Sequence, residues 1–351
     1  MSCWYRWRAS ADRRHRMKLF ARVLRYLAAI VVLVMVSGAA YQWLATAQDA
    51  KRFPMPGERI DIGGRALHLY CSGQGPVTVL LENGLGGNYA AWRLVQDDIA
   101  EFARVCNYDR AWLGWSDRSD RPTHAQFVSD DLHALMNSAG LKPPFVLVGW
   151  SAGGVFVRRY YHDHPDGVIG MVFVDSSHEQ QRHRLEEPGN TEKHRREVGA
   201  QLAACRAFAW TGVVRASGVM KQMAAPLHMP ADLEAEMVAM ENRADYCGGI
   251  AHEMQGFEAD ISQADPPASL GDLPLVVLAR GRASSAKDFP TPVSQAELDQ
   301  VDQRWSTLQS ELAALSTRSS HRIVKESGHA IPIQGPAAVV EAVRELIDRR
   351  I

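Results

Sequence analysis

The sequence predicts an α/β fold: a mostly parallel central sheet with helices on both faces, a helical cap inserted into it, and a transmembrane helix ahead of it. Three observations carry this. From about residue 59 onward, short apolar strand-like runs alternate with helical stretches, the pattern of a parallel sheet crossed by helices. Nearly a hundred residues, Asp175–Asp272, separate two strands that would otherwise be consecutive, too long for an unstructured loop in a compact domain. Tyr26–Gln48 runs for 23 residues without a charge, enough for a helix to cross a bilayer, which takes about 20.

The 351 residues are 46% hydrophobic and 23% charged, with a net charge of −1. Such averages exclude a disordered chain, a collagen-like fibre and a polytopic membrane protein, and give no electrostatic footprint for a nucleic acid. The near-zero charge is a cancellation. Residues 1–25 hold eight basic residues and one acid, so this head is +7 and the remaining 326 residues carry −8.

A basic flank ahead of the apolar run places the N-terminus in the cytoplasm and the body outside. Tyr26, Tyr41 and Trp43 suit the membrane interfaces. The expected organisation is a cytoplasmic head over 1–25, a signal anchor over 26–48, a linker over 49–58 and an α/β body over 59–351, with the cap at about 176–271. The alternative is secretion after cleavage near Ala47, since Ala45-Thr46-Ala47 is an A-x-A-like site. The run is longer than the roughly 7–15 residues of a signal-peptide apolar core, which favours the anchor. Met17 could serve as an alternative start.

Within the body, Arg59–Ile62 and Ala66–Tyr70 flank Gly63-Gly64, a glycine pair suited to a hairpin. Val77–Leu81, Arg104–Tyr108, Phe145–Val148, Met171–Val174, Leu275–Leu278 and Arg322–Val324 are the further strands. The helices are expected at Trp92–Phe102, Thr123–Ala139, Ala152–His162, Glu297–Leu315 and Pro336–Arg349. The inserted stretch starts polar and basic and becomes methionine-rich (Met220, Met223, Met229, Met237, Met240, Met254). Methionines of this kind are core packing more often than ligand contacts, although they also line adaptable apolar binding surfaces.

Gly149-Trp150-Ser151-Ala152-Gly153 matches G-x-S-x-G. The pattern carries weight only in context, and here a strand precedes it and a helix follows. A serine on that sharp turn is pushed out above the sheet, with small neighbours because the turn is tight. Ser151 is therefore the candidate nucleophile. It needs a base, and His329, between the last strand and the last helix, is the candidate. The oxyanion of an attacked carbonyl needs N–H donors. The backbone of Ala152 supplies one, and Leu85, in the glycine-rich loop Asn83–Gly87, the other.

On Asn83-Gly84-Leu85-Gly86, Asp109–Asp117, the Ser151 elbow and Gly328-His329, the chain from about Arg59 to Ile351 resembles the α/β-hydrolase family. The cap lies outside the resemblance, and Asn83 stands where the family usually has histidine. The resemblance implies an acid that orients the base. Its usual place, after the penultimate strand, reads Arg282-Ala283-Ser284, with Asp288 available only if the loop folds back. Some branches carry the acid at the end of the strand after the elbow helix, where Asp175 sits. Asp175 is the expected acid, Asp288 the alternative and Glu179 a third. His178 is read as cap structure.

The five cysteines, with Cys3 in the basic head, fit an exported body with four cysteines, as disulfides or as buried thiols. The resemblance implies Cys71–Cys106, because the second and fourth strands of the family run antiparallel side by side; Cys205–Cys247 would then tie two cap helices.

Dehalogenases and epoxide hydrolases of this fold use an elbow aspartate, so Ser151 implies an acyl-enzyme route. The expectation is a serine hydrolase that cleaves an ester, or less readily an amide or thioester, with an apolar acyl substrate. It needs no cofactor or metal, and the chain shows no zinc-ligand spacing. The alternatives are a cofactor-free haloperoxidase or lyase on the same triad, and a membrane-tethered receptor for a small ligand.

Overall fold

The structure is a computed structural model and describes residues 3–185, 192–261, 269–285 and 294–349. It begins with one helix, α1 (Cys3–Arg52). The basic head, the uncharged run and the first residues of the expected linker are thus one continuous helix rather than three segments. Nothing in the sequence breaks it before Pro54, and the residue preceding a proline is disfavoured in helical geometry. Among the described residues only Arg16–Arg52 is long and apolar enough to cross a membrane, and none of its most apolar window is buried.

The body follows as β1 (Glu58–Asp61), β2 (Ala66–Ser72), β3 (Thr78–Glu82), α2 (Arg93–Ile99), β4 (Arg104–Tyr108), α3 (Ala125–Ser138), β5 (Phe145–Trp150), α4 (Gly153–Asp163) and β6 (Val168–Val174). The cap contributes α5 (Gln181–Arg184), α6 (Glu192–Phe208), α7 (Val213–Ser217), α8 (Val219–Ala224), α9 (Ala231–Glu241) and α10 (Tyr246–Asp260). β7 (Leu275–Arg280), α11 (Gln295–Ala313), β8 (Ser319–Val324), α12 (Ile331–Gln334) and α13 (Pro336–Asp348) complete the chain. Helix α11 starts two residues earlier than its apolar spacing suggests. Ser294 and Glu297 form a capping box that satisfies its first free amides.

The eight strands lie in the order β1-β2-β4-β3-β5-β6-β7-β8. β2 is antiparallel to β1 and β4, and the other pairs are parallel. The central strands are apolar along their whole length because both faces are covered. Val79, Leu81, Val146, Val148, Val172 and Val174 face α2 and α13, whereas Leu80, Leu147, Met171 and Phe173 face α3, α4 and α11. The strands therefore end on one edge of the sheet, at a common level, where the loops after β3, β5, β6, β7 and β8 meet.

Cys71 and Cys106 are register partners on β2 and β4 and are disulfide-bonded, and a second disulfide joins Cys205 of α6 to Cys247 of α10. The first closes a loop with a sequence separation of 35. On loop-closure entropy, replacing both Cys71 and Cys106 by serine should lower stability by roughly 3–4 kcal/mol, read as a lower urea midpoint.

The cap is held to the body by a hydrophobic cluster. Met229, Met237 and Met240 pack with Tyr89, Ala90 and Ile333, and Tyr89 donates a hydrogen bond to Glu236 Oε1 at 2.5 Å. Met229 and Met237 are packing residues here, whereas Met240 also lines a cavity of about 180 Å³ against α1.

Candidate active site

The elbow is built by close packing. A Cβ on Gly149 would lie 2.6 Å from the Gly153 backbone, and one on Gly153 would lie 2.5 Å from the Glu82 carbonyl oxygen. This turn forces Ser151 to φ +54°, a conformation that costs a non-glycine residue energy and persists only where the surroundings over-determine it. Here the Ser151 N–H donates to the Val174 carbonyl at 3.1 Å, and the Ser151 carbonyl accepts from Ser177 N–H at 2.8 Å.

Ser151 Oγ lies 3.0 Å from His329 Nε2, and His329 Nδ1 lies 2.7 Å from Asp175 Oδ2. Three loops, 154 and 178 residues apart in sequence, thus bring the serine, histidine and aspartate into one hydrogen-bonded row. The imidazole is exposed but held: Trp150 Nε1 donates to the His329 carbonyl at 2.8 Å, and the Trp305 ring meets the imidazole edge-on at 6.0 Å.

Asp175 is fully buried at the end of β6, itself at φ +42°. It accepts from Trp305 Nε1 at 2.8 Å, from the Arg280 N–H at 3.0 Å and from the Arg280 guanidinium at 3.4 Å, in addition to His329. Burial pushes its carboxyl pKa up. The His329 hydrogen bond and the charges of His329 and Arg280 outweigh burial and hold it below the usual carboxylate range. Arg280 is in turn fixed by Asp302 at 3.1 Å. Glu179 does not join the row, because it pairs with Arg158 at 3.0 Å. Asp288 lies outside the described residues. His178 sits at the entry to the cap, where its Nδ1 accepts the Gln180 N–H at 3.0 Å.

The glycine-rich loop abuts the serine. A Cβ on Gly84 would lie 3.0 Å from the Ser151 Cβ. The backbone N–H groups of Leu85 and Ala152 have no hydrogen-bond partner among the described residues, whereas the next amide, Gly86 N–H, donates to Glu253 Oε2 at 2.7 Å. Glu253, on α10 of the cap, also receives Arg110 Nε at 2.6 Å. Arg110, fully buried, further donates to the carbonyls of Asn83 at 2.8 Å and Gly84 at 2.6 Å and pairs with Glu82. One buried cation and two carboxylates therefore set the peptide planes of this loop from below and from the cap. Replacing Glu253 by alanine should free the Gly86 amide and lower kcat/KM by roughly 10- to 100-fold, since small misplacements of donors have effects of that size. Progress curves on a fixed ester substrate check this.

A cavity of about 460 Å³ opens beside Ser151 and His329. Leu185, Leu298, Val301 and Trp305 form its apolar wall, and Arg282 and Ser284 lie at its edge. Arg280, Trp305, Glu253 and Arg110 were not singled out as site residues in the sequence. The only local signal was Arg110 inside the Asp109–Asp117 motif.

Residues 77–207 match the family model described as the α/β-hydrolase fold. The chain is 23% identical over 286 residues to the uncharacterized protein YqjL of Bacillus subtilis, covering 81% of this chain and 89% of that protein. A match to a probable transporter of Hormonema carpetanum, 34% identical over 128 residues, spans only 34% of this chain and 18% of that protein. Among solved structures, a serine hydrolase involved in carbazole degradation superposes at TM-score 0.57 with 15% identity, over 83% of this chain and 98% of that one. A bacterial membrane phospholipase A does so at TM-score 0.56 with 14% identity, over 95% and 98%. With this sheet order, the serine elbow between β5 and α4, and the family match over residues 77–207, the chain has the α/β-hydrolase fold.

Proposed function

We propose that the protein is a membrane-anchored serine hydrolase that cleaves an ester, less readily an amide or thioester, through an acyl-enzyme intermediate. The observation that carries this is the row Ser151 Oγ, His329 Nε2, His329 Nδ1, Asp175 Oδ2, at 3.0 and 2.7 Å, beside two unengaged backbone donors.

Ser151 Oγ attacks the carbonyl carbon as His329 Nε2 takes its proton. The carbonyl oxygen gains negative charge and is met by the N–H groups of Leu85 and Ala152. Asp175 holds the imidazole in the tautomer with Nε2 free and stabilises the imidazolium. The intermediate collapses, the bond to the alcohol breaks, and His329 protonates the departing oxygen. Water then attacks the acyl-enzyme, giving up its proton to His329, and collapse returns the acid and free Ser151. An acyl chain is accommodated along Leu185, Leu298, Val301 and Trp305.

The anchor reading is supported by α1, uncharged over 26–48 with a basic flank, which by the positive-inside rule leaves the body outside the cytoplasm. Cleavage near Ala47 would strip away the part of α1 that packs on the cap, where Gln42 Nε2 donates to the Asn242 carbonyl at 2.8 Å. That packing favours an uncleaved anchor.

A fluorophosphonate probe tests the function. The expected result is one adduct per chain, located by mass spectrometry on the peptide holding Ser151, with p-nitrophenyl esters turned over as a function of acyl length. Folded protein that takes no label and hydrolyses none of these esters, yet binds such esters tightly, would instead point to a receptor.

A further inference from the structure

The cap meets α1 inside the uncharged run itself. Covered positions on α1 recur at Gly38, Ala39, Gln42, Thr46 and Asp49, the three-to-four-residue spacing of one helix face. Gly38 admits the Thr211 carbonyl oxygen so closely that a Cβ would lie 2.3 Å from it. Gln42 is 5% exposed and bonded to the Asn242 carbonyl, and Asp49 pairs with Arg215 at 2.6 Å. The cap is therefore held at a fixed height along α1.

That height sets a depth. The hydrocarbon core takes about 20 helical residues. Counted from Tyr26, the first residue after Arg25, it ends near Ala45. Gly38 lies seven residues short of that end, ~10 Å at the helical rise of about 1.5 Å per residue. Around its partner Thr211, the cap shows Phe208, Trp210 and Val213 at 54%, 43% and 53% exposure. Three side-chain donors of this apex are satisfied within its own backbone. Trp210 Nε1 donates to the Ala207 carbonyl at 2.8 Å, Thr211 Oγ1 to Phe208 at 2.7 Å and Ser217 Oγ to Val214 at 2.7 Å. A surface in water has no need of this economy of donors, whereas one in hydrocarbon does. Arg206 and Lys221 flank the apex in sequence, long cationic side chains suited to lipid phosphates.

We propose that this apex, Phe208, Trp210 and Val213, inserts into the leaflet that holds the C-terminal half of α1. The enzyme is then seated on lipid by two elements, the anchor and the cap. The occupant of the patch is the acyl region of a phospholipid bilayer, because the packing of Gly38 on Thr211 carries the patch there once α1 spans. Surface elements of this kind sink about 5–10 Å, in keeping with the ~10 Å set by α1. The inference rests on the reading of α1 as a membrane anchor, and its test separates the two.

The full chain, with Cys3→Ser, is given one added cysteine by Phe208→Cys or Val213→Cys, labelled with an environment-sensitive fluorophore and reconstituted into phosphatidylcholine vesicles with or without brominated acyl chains. Ile30→Cys on α1 and Ser310→Cys on exposed α11 serve as references, and fluorophosphonate labelling of each variant checks that the body is folded. The expected result is quenching by brominated lipid at 208 and 213 comparable to that at 30, with aqueous iodide effective only at 310. Iodide quenching at 208 and 213 with lipid quenching retained at 30 would overturn the docked cap and leave the anchor standing. Iodide quenching at position 30 as well would overturn both.

Discussion

Replacing Ser151 by alanine is expected to lower kcat on any ester the protein turns over by roughly 10⁴- to 10⁶-fold and to abolish fluorophosphonate labelling. The size of the effect follows from what the residue does. Without the hydroxyl there is no covalent acyl intermediate, and His329 keeps only the option of activating water directly. The remaining catalysis comes from the Leu85 and Ala152 donors and from binding, which is why the loss is large but finite. Stability should move little or rise. Alanine removes one hydrogen bond to an exposed imidazole, while the left-handed conformation at φ +54° is retained and remains costly for alanine. A Ser151→Ala variant with unchanged ester turnover would sink the acyl-enzyme reading, whatever its thermal midpoint.

The second large effect is expected at Asp175. Asparagine keeps the shape but offers an amide where four donors now converge: His329, Trp305, and the backbone and side chain of Arg280. One face of the new group must then point N–H at N–H, and the imidazole is no longer held in the productive tautomer. A loss in kcat of about 10⁴-fold is expected, with KM changed far less. The same substitution carries a pH signature. The folded-state carboxyl of Asp175 titrates below its unfolded value, so the unfolded chain binds the extra proton between the two. Its contribution to stability is complete above the unfolded pKa, about 3.9, and is lost as pH falls through the folded value. The difference in thermal midpoint between the native chain and Asp175→Asn should therefore be constant near neutrality and shrink as the pH is taken down through 4 toward 2. A difference that instead grew in acid would mean that Asp175 is protonated in the native protein. Full turnover in Asp175→Asn would move the acid role elsewhere, with Asp288 the next residue to replace.

Much of this site was legible in one dimension because its parts are local. The elbow is five consecutive residues whose small size is dictated by contacts within the same turn, Gly149 on Gly153 and Gly153 on the end of β3. His329 was readable from its place between a strand and the final helices. The acid was harder. Three candidates, Asp175, Glu179 and Asp288, satisfied the chain order Ser, acid, His, and spacing cannot say which loop folds toward the base. The sheet brings Asp175 there because β6 lies between β5 and β7, so the end of β6 faces both the elbow and the Arg280 that neutralises the carboxylate.

The sequence by itself determined the strand and helix alternation, the serine turn, the apolar N-terminal helix and the presence of an inserted cap. All of these are set by local steric preference and hydrophobic periodicity. Only the tertiary structure decided which groups support them. Trp305 and Arg280 hold Asp175, and Glu253 of the cap takes the Gly86 amide. Thr211 of the cap packs on Gly38 of α1, so α1 and the cap are in direct contact. The reason is physical: each of those contacts joins residues far apart in the chain, and their pairing is fixed by the stacking of strands and the burial of charge, neither of which leaves a period or a motif in the sequence.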